Sequence, residues 1–129
     1  MYSEKVIEHF MCPRNTGSMP DADGEGVAGD PKCGDSLNIY IKVRDNVIKD
    51  ISFLVFGCTA SVATSSMTTV LAKGKTIDEA IKITEQDIID ALDGLPEEKT
   101  HCSNLGVTAL KRAIQNYFER QGANLKIDK

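Results

Sequence analysis

Cys33 with Asp35, Cys58, and the adjacent pair His101 and Cys102 are the residues of this chain whose types and placement can do chemistry. Thiolates select zinc, cuprous copper or iron-sulfur clusters over hard cations. No C-x-x-C pair occurs anywhere, so zinc-ribbon and thioredoxin-type readings fail, and so do the clustered cysteine runs of ferredoxins. A metal site must therefore gather ligands from distant segments, and a closed structural zinc site using the same residues is one alternative. A second is a thiol enzyme built on a Cys-His pair. Adjacent residues on a helix point about 100° apart, which argues against His101 serving Cys102 as a base and leaves Cys58 with His101. Cys12, beside Pro13, stands apart and reads as structural or incidental, while His9 reads as a surface or packing residue.

These residues fall where secondary structure should begin or end. Leu37, Ile39, Ile41 and Val43 alternate with polar neighbours, and Ile51, Phe53 and Val55 do the same after Arg44-Asp45-Asn46, which predicts a hairpin. Both apolar sets share a face only if paired residue numbers sum to an even value, and an odd-length loop around Asp45 gives 90 or 92. Cys33 then falls opposite position 57 or 59, beside Cys58. Ala63, Met67, Val70 and Leu71 predict a helix that starts directly after Cys58 and stops at Gly74, with Thr59 as a plausible cap. Leu110, Ala113, Ile114, Tyr117 and Phe118 predict a longer helix that stops near Gly122 and has its first turn close to His101 and Cys102. A thiol at a helix N-terminus sees unpaired N–H groups, which favour thiolate. Gly34 and Gly57 flank the first two cysteines and allow tight turns or close approach.

Elsewhere, Ser3 caps a short opening helix closed by Pro13, and residues 15 to 31 read as loop with one edge strand at Gly26 to Gly29. Thr76 and Glu79 have capping-box spacing for another short helix, and Thr84 caps a third ending before Gly94. The predicted architecture is α+β: an antiparallel sheet of about three strands with helices packed on one face, in a single domain over residues 1–129. A formal net charge of −4, with no run of Lys and Arg, argues against nucleic acid. The absence of a long uncharged apolar stretch argues against a membrane span. Without an export signal a cytoplasmic location and reduced thiols are expected.

Lys-Cys-Gly-Asp at 32–35, Phe-Gly-Cys-Thr-Ala at 56–60 and Leu-Pro-Glu-Glu-Lys-Thr-His-Cys-Ser at 95–103, together with Pro13-Arg14-Asn15, resemble the IscU family and the N-terminal domain of NifU proteins across nearly the whole chain. The resemblance implies a scaffold, not an enzyme, that receives sulfur from a cysteine desulfurase of the IscS/NifS type, collects iron, assembles a [2Fe-2S] cluster and passes it to apo-proteins. By motif position Cys33, Cys58 and Cys102 are the implied thiolate ligands, with Asp35 or His101 as the fourth, and zinc can hold the same site in the cluster-free form. Glu97 and Glu98 stand where the best-known members carry a Pro and a Val, which argues against recruitment of the dedicated Hsp70 and J-type chaperones. SufU relatives carry a long insertion between the second and third cysteines and lack the His before the last, so the IscU branch is the better match.

Overall fold

Ser3 opens the first element: its hydroxyl accepts from the Val6 N–H and caps α1 (Glu4–Met11), which buries Val6 and His9. The computed structural model describes residues 2–30 and 34–128, the side chains of Asp30 and of residues 122–128 excepted. Three strands follow, β1 (Gly24–Asp30), β2 (Asp35–Arg44) and β3 (Val47–Phe56), paired antiparallel in the order β1-β2-β3. The predicted edge strand is thus present and longer than its glycine-rich core. Leu37, Ile39, Ile41, Ile51 and Phe53 turn to one face and are essentially inaccessible.

Register follows the expected even sum, 92, from Ser36↔Phe56 to Lys42↔Asp50, and then shifts to Val43↔Ile48 and Arg44↔Val47. The odd-length loop is replaced by a two-residue turn, Asp45-Asn46, with φ of 53° and 65°. Asp and Asn tolerate this left-handed region well enough to make a tight hairpin turn. The leftover residue, Lys49, is absorbed as a bulge, so the apolar face stays continuous.

Helices α2 (Thr59–Ala72), α3 (Ile77–Ile81), α4 (Glu85–Ala91) and α5 (Cys102–Asp128) complete the fold, with a 3-10 turn at Glu97–Lys99. Both predicted capping boxes, Thr76 with Glu79 and Thr84 with Asp87, are formed. Helix α5 lies against β1 and β2, and α2 lies between β3, α1 and α5. The packing is backbone-close at Gly26, where a Cβ would collide with main-chain atoms of Ala109, Arg112 and Ala113. Beyond its expected stop, α5 runs through Gly122 to Asp128. A lone glycine costs a helix only about 1 kcal/mol relative to alanine, and Ala123, Asn124 and Leu125 do not break it.

Helix α2 departs from the expected apolar stripe. Val70 is 42% exposed, whereas Ser61, Thr64, Ser65, Ser66, Thr68 and Thr69 are all fully buried. Four of these hydroxyls are satisfied within the helix: Thr64 donates to the Ser61 carbonyl at 3.2 Å, Ser65 to the same carbonyl at 2.7 Å, Thr68 to Thr64 at 2.7 Å and Thr69 to Ser66 at 2.7 Å. Such bonds to preceding carbonyls let a hydroxyl enter an interior without the penalty of an unpaired polar group. Phe118 also turns outward, 46% exposed.

Candidate metal centre

Antiparallel pairing of Ser36 with Phe56 sets Asp35, the first residue of β2, across from Gly57, just beyond the end of β3. Chain direction then turns from strand to helix at Cys58, which occupies the N-cap position of α2 in extended conformation, φ −81° and ψ 177°, its carbonyl accepting from Val62 N–H at 3.0 Å. Thr59, the expected cap, is instead the first helical residue. The third segment arrives through the turn at Thr100 and His101, and Cys102 is the first residue of α5.

Side chains from these three segments converge. Cys58 Sγ lies 3.9 Å from Cys102 Sγ and 3.9 Å from Asp35 Oδ2, and ligand atoms of all three residues fall within 4.8 Å of one another. Two thiolates bound to one tetrahedral ion at about 2.3 Å lie about 3.8 Å apart, so the sulfur spacing already matches a shared metal. Asp35 and Cys102 are buried and Cys58 is half-buried, so two soft sulfur donors and one harder carboxylate are largely shielded from bulk water, with Cys58 the most accessible of the three.

Gly57 and Ser61 define where the carboxylate sits. A Cβ at Gly57 would stand 2.6 Å from Asp35 Cγ and Oδ1, so the carboxylate occupies the space a side chain would fill. The Ser61 hydroxyl donates to Asp35 Oδ2 and also lies 3.3 Å from Cys58 Sγ. Burial pushes the Cys58 thiol up, and the Asp35 carboxylate adds to this. The Ser61 hydroxyl and backbone N–H, with the Cys102 thiol, favour the thiolate and outweigh both, leaving Cys58 below its ordinary value.

Of the residues singled out from sequence, Asp35, Cys58 and Cys102 are thus brought together, and His101 stands beside them with Nε2 3.8 Å from Cys102 Sγ. That proximity corrects the helical-angle argument: His101 precedes α5, in a turn, so the 100° separation does not apply to it. Cys33 lies outside the described residues. Cys12 is exposed at the end of α1. His9 is a packing residue, 7% exposed, with Nδ1 2.7 Å from Ser66 Oγ. Ser61 was missed, although its position three residues after Cys58 is the spacing at which a first-turn side chain reaches back to an N-cap.

The family model described as NifU-like N terminal domain matches residues 1–124. The chain belongs to that family. Among its curated relatives, an iron-sulfur cluster assembly scaffold protein IscU of Archaeoglobus fulgidus is 59% identical over 129 residues, covering 100% of this chain and 82% of its own length. The IscU scaffold protein of Haemophilus influenzae is 45% identical over 125 residues, covering 94% of this chain and 98% of its own length. A NifU-like N-terminal protein of Brucella abortus has a TM-score of 0.71 at 20% identity, covering 90% of this chain and 93% of that one. A SufU-type protein of Fervidobacterium islandicum has a TM-score of 0.74 at 22% identity, covering 88% and 96%. At such identities these two structures establish a shared fold. For this NifU-like domain, no helix among the described residues is long and apolar enough to cross a membrane.

Proposed function

We propose that residues 1–129 form one cytoplasmic scaffold domain on which a [2Fe-2S] cluster is built from iron and desulfurase-derived sulfur and then passed to apo-proteins. Cys33, Cys58 and Cys102 serve as thiolate ligands, and Asp35 or His101 completes the set. The observation that carries this reading is the convergence of Asp35, Cys58 and Cys102 from three separate segments to within 4.8 Å. Membership of a family whose curated relatives are named as IscU scaffold proteins supports it. A carboxylate is a harder, more exchangeable partner for iron than a thiolate, which suits a cluster that must leave. Zinc binds the same donors in the cluster-free protein, holding the site without supplying redox chemistry.

Partners follow from the chemistry. A cysteine desulfurase of the IscS/NifS type delivers persulfide sulfur, and an acidic pair at Glu97 and Glu98 disfavours the Hsp70 and J-type chaperones. Against a thiol enzyme pairing Cys102 with His101 stands the burial of Cys102, which is inaccessible to solvent although its sulfur lies 3.8 Å from His101 Nε2.

Anaerobic incubation with ferrous iron, cysteine and a cysteine desulfurase tests the proposal. A charge-transfer chromophore should develop on the wild type, weaken in each of Cys33→Ser, Cys58→Ser and Cys102→Ser, and move to an added apo-ferredoxin. Tight zinc binding with no chromophore would assign the site to structural zinc instead.

A further inference from the structure

Asp35 Oδ2 lies 3.9 Å from Cys58 Sγ, and it is the same oxygen that the Ser61 hydroxyl holds. Ser61 is fully buried and Asp35 is 5% exposed, so water is poorly placed to take over either end of that bond. The hydroxyl is rigidly presented from the first turn of α2, where the Ser61 carbonyl also receives the Thr64 and Ser65 hydroxyls at 3.2 and 2.7 Å. A hydroxyl has one proton to give. Because the Ser61 hydroxyl touches Cys58 Sγ as well, at 3.3 Å, it occupies the side of Oδ2 that faces the sulfur, so a metal shared by Oδ2 and Sγ competes with it for that side of the carboxylate, and the displaced hydroxyl can turn its proton to the sulfur.

We propose that Ser61 is a positioning residue that competes with the metal for Asp35: its hydroxyl holds Oδ2 in the metal-free site and recaptures it as the metal leaves, so Asp35 is the ligand that lets go first. Gly57 is part of the arrangement, because only a residue without a Cβ leaves the carboxylate room to rest against α2. The inference rests on the scaffold reading for its biological meaning, while its geometry concerns any metal that uses this oxygen.

Cobalt(II), titrated anaerobically and followed by its thiolate charge-transfer absorption, tests it in a cycle of wild type, Ser61→Ala, Asp35→Ala and the double variant. Loss of a hydrogen bond to a charged acceptor that must be broken on metal binding should tighten cobalt about tenfold in Ser61→Ala. In the Asp35→Ala background the same change should leave affinity unaltered, a dependence that a merely structural serine would not show. Cluster transfer to apo-ferredoxin should slow in Ser61→Ala by a similar factor, again only with Asp35 present. Unchanged or weaker cobalt binding in Ser61→Ala, or an equal effect in both backgrounds, overturns the proposal. A wild type that binds cobalt but assembles no cluster sinks the scaffold reading alone, and the cobalt cycle still decides the role of Ser61.

Discussion

Gly57→Ala isolates the steric relation between the β3 end and Asp35. The Gly57 backbone is in a region any residue adopts, so the substitution adds a methyl group without a conformational penalty of its own. That methyl carbon would stand 2.6 Å from Asp35 Cγ and Oδ1, and it must gain about 0.8 Å to reach ordinary van der Waals separation. The strand is held by the Ser36↔Phe56 pairing and Cys58 by the start of α2, so the Asp35 side chain is what yields. Its retreat breaks the bond from Ser61, a charge-assisted contact worth about 1.5–3 kcal/mol. Urea unfolding should therefore show a loss of that size in Gly57→Ala, and cobalt should bind more weakly because the carboxylate has left the sulfurs. In Asp35→Ala the methyl group meets no carboxylate, and the added cost of Gly57→Ala should fall to within about 0.5 kcal/mol of zero. An equal cost in both backgrounds would refute the reasoning and locate the effect in the backbone.

Asp35→Ala itself should lengthen the lifetime of an assembled cluster against a chelator several-fold, read as decay of the visible absorption; unchanged or faster loss would remove Asp35 from its role as the exchangeable ligand. Burial, aided by the Arg14 cation and opposed by Glu8, holds His9 below the ordinary value of 6.5. Between the folded and unfolded values the unfolded chain binds more protons, so this part of the stability is complete above 6.5 and is lost as pH falls below it. Stability of His9→Gln measured from pH 7.5 down to about pH 5 should decline less steeply than the wild type; parallel curves would show that His9 does not carry that slope. Gly26→Ala should cost about 3 kcal/mol or more in urea unfolding, because main-chain atoms of α5 stand where its Cβ would go; a loss under 1 kcal/mol would mean that α5 moves off the sheet easily.

Period-two alternation made the hairpin legible, and parity of the apolar faces narrowed its register to two choices, one of which is observed. The bulge at Lys49 was not legible, because a two-residue left-handed turn and an even register are compatible only when one residue is discarded, and either strand could discard it. Helix α2 was recognised from Ala63, Met67 and its glycine stop, but its buried hydroxyl face was not. Ser and Thr read as solvent-facing unless one asks whether each can return its proton to a carbonyl three or four residues earlier. At the site, residue type and position at element ends pointed to Asp35, Cys58, His101 and Cys102. What sequence alone could not reveal was that one Asp35 oxygen meets both the Ser61 hydroxyl and Cys58 Sγ, since that depends on Gly57 leaving a Cβ-sized gap across a strand pair.

X-ray absorption at the iron edge of the anaerobically loaded protein tests the central claim most directly. A shared cluster predicts a short iron–iron vector, a dominant sulfur shell and a minor oxygen or nitrogen component, with the iron–iron vector weakened in both Cys58→Ser and Cys102→Ser. Mononuclear iron with no iron–iron vector, or a spectrum indifferent to either cysteine, would contradict the account.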